Sequence, residues 1–247
     1  MIQLTLIQLD NYGPWTVTPS PKREADLQIL QSNIYSDLQK LFSLHKAIVF
    51  PFRYDNLIAV TNGVGKGEHE RILKTINTRY PVTISMSIAS APTSLEAEKK
   101  ASMFLSRLGS AQSSKRKAEL VIGDLSDDLV RMAHIDIDSV TKHTDNDVYT
   151  SFQYILTTHH ELSRKLEEKG ALLFYMGGDN FISPCTTLDE NEFKKIFQEV
   201  SAKAGISLKA GIGEAKNAEE AIHLASIALS EIRAGSSSKI IYKNSHG

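Results

Sequence analysis

The sequence predicts an α+β fold made of two tandem ferredoxin-like (βαββαβ) domains. Three observations lead to this prediction: an internal repeat, the same order of strand and helix periodicity in both halves, and turn residues at matching positions. The segment "YDNLIA" at 54–59 matches "GDNFIS" at 178–183, and the same offset aligns 86–101 with 210–225. Agreement of several segments in one register indicates a duplicated unit.

The first half begins with an alternating apolar segment that predicts strand Ile2–Leu9. Leucines and isoleucines at three- and four-residue steps then predict an amphipathic helix at about Arg23–Ser43. A slightly larger offset aligns "LIQLD", which ends at Asp10, with "HIDID", which ends at Asp138. The remaining predicted elements are, in order, strands Ala47–Phe52 and Leu57–Thr61, helix Glu68–Arg79, strand Val82–Ala89 and helix Ser94–Leu108.

The second half repeats this order of elements. The predicted elements are strand Met132–Ile137, helix Asn146–Glu168, a hairpin over Ala171–Ser183, helix Asp189–Ala204, strand Ser207–Ile212, helix Ala218–Arg233 and an end strand Lys239–Tyr242. The polar segment "GSAQSSKRKAE" interrupts the apolar periodicity between the halves. We therefore expect an N-terminal domain at 1–110, a linker at 111–128 and a C-terminal domain at 129–247.

Composition restricts the class of function. At 247 residues, 41% hydrophobic and 23% charged, the chain has the makeup of a globular protein. A formal net charge of −1 disfavours a nucleic-acid partner and favours small molecules. The single cysteine, Cys185, excludes an internal disulfide and a paired-cysteine zinc site, and the N-terminus lacks the basic and long apolar segments of a signal or membrane span. We expect a cytoplasmic protein with no membrane contact.

Three carboxylates are predicted to converge in the second half. In βαββαβ topology the end of the first strand lies beside the central hairpin turn, so Asp136 and Asp138 approach Asp179. Without a matching basic cluster such carboxylates repel one another, and a divalent cation, Mg²⁺ or Mn²⁺, would relieve that repulsion. The open coordination positions of the ion would take phosphate oxygens, so the expected ligand is a nucleoside triphosphate. Gly177 and Gly178 would let the backbone approach the phosphates. The alternatives are an ordinary hairpin turn and a strand edge protected by charge.

At these residues the chain resembles the palm-type catalytic domains of GGDEF diguanylate cyclases and class III nucleotidyl cyclases. Along its whole length it resembles the archaeal GTP cyclohydrolase III family more closely. The segments that carry this resemblance are "TLIQLDNYGPWTVTP", "FRYDNLIAVTNG", "AHIDID", "GGDNF" and "LKAGIG". The resemblance implies that the two ferredoxin-like units are tandem palm domains.

The resemblance also implies a reaction and its cofactors. It implies Mg²⁺-dependent hydrolytic opening of the guanine imidazole ring of GTP, with loss of the β and γ phosphates. The products would be 2-amino-5-formylamino-6-(5-phosphoribosylamino)pyrimidin-4(3H)-one and inorganic phosphate. Asp136, Asp138 and Asp179, with the carbonyl of Ile137, would hold two Mg²⁺ ions per site. A monovalent cation is left open, and the family resemblance implies a homo-oligomer, either a dimer or a tetramer.

Further residues are predicted to contact substrate or position water. Asp10 and Asn180 are the expected catalytic residues, while Asn11 and Tyr12 would line a nucleotide pocket or form only a rigid turn. Thr141 and Thr144 would contact the substrate or cap the following helix. In the first half Gln8 replaces the first aspartate and "RYDN" lacks the glycine pair, so we expect no complete metal site there.

Two other functions use the same residues. A nucleotidyl or diguanylate cyclase would activate a ribose hydroxyl with the same metals, and a non-catalytic GTP sensor would bind GTP and Mg²⁺ without turnover. Asn180 occupies the position of an acidic residue in the cyclase motif, which disfavours a cyclic product. The intact "DID" and "GGD" segments disfavour a sensor.

Overall fold

The computed structural model describes residues 1–138 and 147–245. The chain forms two compact units, Met1–Ala91 with Glu96–Asp128, and Pro92–Leu95 with Leu129–Gly247. Among the helices in those described ranges, none combines the length and apolar character needed to span a bilayer.

The first unit contains a five-stranded sheet in the order β2-β3-β1-β4-β5. Strand β1 is antiparallel to both β3 and β4, and β5 adds to β4 in parallel. The elements are β1 (Ile2–Leu9), α1 (Tyr12–Val17), α2 (Glu24–Ser43), β2 (Ile48–Arg53), β3 (Asn56–Val60), α3 (Lys66–Arg79), β4 (Ile84–Ala91), α4 (Ser94–Arg107) and β5 (Leu120–Ile122).

The second unit has a sheet with the corresponding order β10-β9-β6-β8-β7. Strand β6 is antiparallel to β8 and β9, and β10 adds to β9 in parallel. The elements are β6 (Val130–Ile137), α5 (Val148–Glu167), β7 (Phe174–Gly177), β8 (Asn180–Pro184), α6 (Glu190–Ala204), β9 (Leu208–Ala215), α7 (Ala218–Arg233) and β10 (Ile240–Asn244). The predicted pair of ferredoxin-like units is confirmed.

Equivalent registers establish the repeat at the level of single residues. Gln8 pairs with Asn56 in the first sheet, and Asp136 pairs with Asn180 in the second. One face of each sheet packs an apolar core against two helices: α2 and α3 in the first unit, and α5 and α6 in the second. In the second core, Cys185 is buried and its amide donates to the carbonyl of Arg131.

The segment 111–128, predicted as a linker, differs from that prediction because it is built into the first unit. It supplies β5, and the amide of Met86 donates to the carbonyl of Glu119 at 2.8 Å. Arg116 within it is only 3% exposed. A strand of three residues is too short to produce a periodic signal, and nothing in the polar composition of the segment indicates that Arg116 is buried.

Helix α7 packs unusually close to the second sheet. Gly211 and Gly213 of β9 lie beneath it, and a Cβ at either position would fall well inside van der Waals contact with the carbonyl of Ala225 or Ala221. The first unit has Ser87 in place of Gly211, and its hydroxyl donates to the carbonyl of Ala101 at 2.7 Å. The glycines therefore bring α7 onto the sheet face that carries Asp136.

Candidate active site

The hairpin between β7 and β8 brings Asp179 to the end of β6. Gly177 and Gly178 have φ values of 94° and 58°, which side chains other than glycine rarely adopt. Gly177 pairs with Asn180 across the turn, and the carbonyl of Asp179 accepts from the amide of Ile137 at 3.2 Å. The turn is therefore joined to the strand that carries the other aspartates, as the topology predicts.

Asp136 lies at the centre of the site and is only 3% exposed. Its strand neighbours in register are Asn180 on β8 and Lys209 on β9. One carboxylate oxygen, Oδ2, lies 2.9 Å from Arg233 Nη2 and 3.1 Å from Lys209 Nζ. The other oxygen, Oδ1, is buried and has no hydrogen-bond partner among the residues that the structure describes.

The structure corrects the expectation that the carboxylates have no basic partners. Lys209 bridges Asp136 and Asp138, with its Nζ 3.3 Å from Asp138 Oδ1. Burial opposes the charged form of Lys209, but its hydrogen bonds to the two carboxylates raise its pKa above the ordinary value. Arg233, the last residue of α7, adds a second cation. Sequence reasoning missed both because neither lies near an aspartate along the chain.

The amide of Asn180 is held in one orientation. Its Oδ1 lies 3.2 Å from Arg233 Nη2 and 3.0 Å from His134 Nε2. Because arginine can only donate, the oxygen must face Arg233, and the amide nitrogen then donates to Asp179 Oδ1 at 2.9 Å. Asn180 thus connects the turn aspartate to the basic pair.

His134 supports this orientation from the interior. Its Nε2 donates to Asn180, which leaves Nδ1 to accept from the hydroxyl of Ser226 at 3.1 Å in the neutral ring. Burial lowers the pKa of His134, which favours that neutral form. His134 and Asp136 are two residues apart on β6, so their side chains point to the same face of the sheet. This alternation is the sequence feature that could have placed His134 near the site.

The donor chemistry of the site fits a hard divalent cation. Within 1–138 and 147–245, no three acidic, histidine or cysteine side chains are already gathered as a metal cluster. Asp136 nevertheless presents a buried, unpartnered oxygen, and the nearby Asp138 carboxylate is 43% exposed. Oxygen ligands of this kind suit Mg²⁺ or Mn²⁺. A cation would satisfy the buried oxygen of Asp136.

The equivalent position in the first unit is neutral. Gln8 replaces Asp136, and its Nε2 donates to Asn56 Oδ1 at 2.8 Å. The backbone link is kept, because the amide of Leu9 donates to the carbonyl of Asp55 at 3.0 Å. The Asp55 side chain instead lies 3.0 Å from Arg53.

Asp10 is buried within the first unit, which differs from the loop position expected of a water-positioning residue. It pairs with Arg116 Nε at 2.9 Å, and both side chains are almost fully buried. Its carboxylate also accepts from Thr83, Ser85 and the amide of Ala118, at 2.8 to 3.0 Å. These donors engage both oxygens, so the contacts of Asp10 are those of a structural group.

The other predicted contact residues lie in the first unit or outside the described ranges. Asn11 has a left-handed backbone with φ 52° and precedes the short helix α1. Tyr12 stacks on Trp15, with ring centroids 6.1 Å apart, and its buried hydroxyl has no hydrogen-bond partner among the described residues. Thr141 and Thr144 lie outside the described residues.

Solved structures resemble half of the chain. The GGDEF domain of DgcB from Caulobacter crescentus, solved in complex with c-di-GMP, matches 46% of this chain and 77% of its own, at 18% identity and a TM-score of 0.38. A likeness of this size adds nothing about activity.

Sequence relatives cover nearly the whole chain. The GTP cyclohydrolase III of Methanobrevibacter smithii is 50% identical over 240 residues, 94% of each chain. That of Methanothermobacter thermautotrophicus is 48% identical over 239 residues, covering 95% of this chain and 96% of the relative. The model of the family described as GTP cyclohydrolase III matches residues 1–246. The chain therefore belongs to the GTP cyclohydrolase III family.

Proposed function

We propose that this chain opens the imidazole ring of GTP by hydrolysis and removes the β and γ phosphates. The observation that carries the proposal is the match to GTP cyclohydrolase III relatives over at least nine-tenths of both chains, at about half identity. The Asp136 cluster supports it, because it combines oxygen ligands with two cationic side chains.

The reaction consumes three waters in this scheme. One water adds to C8 of guanine and the C8–N9 bond breaks, so the formyl group stays on N7 and N9 keeps the ribose. One further water cleaves each phosphoanhydride bond, which releases two inorganic phosphates. The product is a formylamino-pyrimidine ribonucleotide monophosphate.

We assign metal binding to Asp136, Asp138 and Asp179, with the Ile137 carbonyl as a further oxygen ligand. Mg²⁺, when bound, supplies positive charge that neutralises the triphosphate and polarises its phosphorus–oxygen bonds. Two ions per site, a monovalent cation and a homo-oligomeric assembly stay part of the proposal.

Lys209 and Arg233 are proposed to bind phosphate oxygens. Both contact Asp136 Oδ2 and could exchange that contact for a phosphate once a cation binds the carboxylate. The open backbone at Gly177 and Gly178 would let the triphosphate approach the turn.

Water positioning is assigned to Asn180 in preference to Asp10. The Asn180 amide is held in the cluster by His134, Arg233 and Asp179, whereas the Asp10 oxygens are occupied within the first unit. Contacts of Asn11, Tyr12, Thr141 and Thr144 with the substrate stay predictions.

Product analysis tests the proposal. After incubation with GTP and Mg²⁺, we expect the guanine absorbance to give way to that of an opened pyrimidine. We also expect two phosphates per GTP and no formate. Asp136→Asn is the control that should form no product. A cyclic nucleotide with intact guanine would overturn the proposal, and stoichiometric formate would indicate a different cyclohydrolase reaction.

A further inference from the structure

A cavity of about 430 Å³ lies among α6, β9 and β10 of the second unit. It is separate from the Asp136 site because Leu208 and Ala210 face the α5 and α6 core, whereas the intervening Lys209 reaches Asp136 on the opposite face of the sheet. Its lining includes an apolar floor of Phe197, Ile206, Leu208 and Ile240, and a polar rim of Lys194, Gln198, Ser201, Ser207 and Lys239.

In the first unit, one side chain joins the helix and the strand that correspond to two walls of this cavity. Asn77 of α3 donates to the carbonyl of Ile84 at 3.1 Å and accepts from its amide at 2.7 Å. Helices α3 and α6 begin at equivalent positions, so Ser201 takes the place of Asn77 and Leu208 that of Ile84. Serine lacks the amide that joins helix and strand in the first unit. The two units therefore differ at this wall of the cavity.

Charge at the rim is also reversed between the two units. Lys194 takes the position of Glu70 on the helix, and Lys239 takes the position of Glu119 before the parallel end strand. Neither lysine forms an ion pair with a carboxylate in the described part of the chain. The ammonium of Lys239 donates to the hydroxyl of Ser207. The rim thus presents two cations beside an apolar floor.

We propose that this cavity binds a small aromatic phosphate of mononucleotide size. Two ammonium groups recognise a phosphate, and the floor with its Phe197 ring covers a planar heterocycle. The volume lies within the range of small-molecule sites, about 300–1,000 Å³. A sugar phosphate without a base would leave the apolar floor exposed to water, and a nucleoside without a phosphate would leave both lysines without an anion to bind.

Calorimetry with 5′-GMP in the presence of EDTA tests this proposal on the full chain. We expect 5′-GMP to bind saturably, and guanosine and inorganic phosphate to bind much more weakly. The double variant Lys194→Gln/Lys239→Gln should weaken binding at least tenfold. Lys195→Gln, which removes an exposed lysine from the same helix, should leave it unchanged.

A second variant closes the cavity without changing charge. Ser201→Asn introduces the larger side chain that the first unit has at this position, and it should reduce the volume of the cavity. We expect it to remove GMP binding while the melting temperature and GTP turnover stay near wild type. If GMP bound at the Asp136 site and not in the cavity, its affinity would be the same in the wild type and in every cavity variant. Equal affinity in wild type, Ser201→Asn and the double lysine variant, or no GMP binding by wild type, would overturn the proposal.

Discussion

At the scale of single residues, the two oxygens of Asp136 have opposite environments. Oδ2 meets Arg233 and Lys209, while the buried Oδ1 has no partner among the described residues. A buried acceptor without a partner costs about 1–3 kcal/mol. A cation or a hydrogen-bond donor would relieve that cost, which supports the proposal that this carboxylate binds a metal ion.

Asp179→Asn tests the role of the turn carboxylate. We expect the fold to persist, because asparagine is well tolerated in turns, and turnover to fall by roughly 100-fold as a ligand charge is lost. The matched control is Asp55→Asn, which changes the equivalent turn of the first unit and should retain most activity. The measurement is the GTP turnover rate of each variant at saturating Mg²⁺. An equal loss of turnover in both variants would contradict a metal site that is confined to the second unit.

Asp37 provides a test of stability against pH. Hydrogen bonds from Tyr80 and Arg79 lower the pKa of Asp37 from 3.8 to about 2. A lowered folded pKa gives stability that is present above pH 3.8 and is lost as pH falls toward 2. Asp37→Asn should therefore cost roughly 1–2 kcal/mol at pH 7, after allowance for solvent screening, and progressively less toward pH 2.

Urea unfolding at pH 7 and pH 3 measures this difference. Asp26→Asn is the control, because Asp26 pairs with Arg23 on an open surface where both side chains are at least half exposed. A destabilisation by Asp37→Asn that stays constant between the two pH values would contradict the assignment.

Two aspartates of the site could be predicted from the sequence, whereas its two cationic residues could not. Asp136 and Asp179 are brought together by strand topology, which hydrophobic periodicity reveals. Lys209 and Arg233 meet Asp136 only through the β6–β9 register and the close seating of α7, which no local pattern encodes. The burial of Asp10 was missed because its partner Arg116 lies in a polar segment.

At the scale of elements, helix α7 acts as the support of Arg233. It rests on Gly211 and Gly213, with the small residues Ala221 and Ala225 facing the sheet. Movement of the helix away from the sheet would separate Arg233 from Asp136.

Gly213→Ala tests this packing. The new methyl group would overlap the backbone of α7, so we expect a loss of about 2–3 kcal/mol of stability and reduced turnover. Gly67→Ala is the control, because its Cβ would meet only the side chain of Arg71, at 3.8 Å. Thermal unfolding and GTP turnover measure both effects. A neutral Gly213→Ala would show that α7 can shift freely.

The long helices and strands were predictable because they bury apolar faces over many residues. Helix α7 was predicted with both of its boundaries. The short helix α1 and strand β5 were missed, since six and three residues are too few to establish a period.

At the scale of the whole molecule, the two repeated units share their backbone geometry but differ in the charge of the side chains at equivalent positions. Both units retain the hydrogen bond from the first strand to the turn carbonyl. Gln8 and Asp136 occupy equivalent positions with different charges. We expect metal binding in one unit of the two.

Titration with Mn²⁺, followed by its paramagnetic resonance, measures that expectation independently of turnover. Wild type should show saturable binding that Asp136→Asn loses and Asp55→Asn keeps, because only the second unit has the buried carboxylate. Excess EDTA should remove the ion and stop GTP turnover, and Mg²⁺ should restore it. Unchanged Mn²⁺ binding in Asp136→Asn would contradict the proposed site.

The burial of Cys185 has a practical consequence for spectroscopy. Burial raises the pKa of this thiol to about 12, so almost no thiolate is present at neutral pH to react with a maleimide. Since the chain has one cysteine, an engineered thiol at exposed Lys195 would carry a fluorophore without removal of the native residue. A dye at that position lies on the helix that borders the cavity, where its emission would report binding of the proposed ligand in the otherwise unaltered protein.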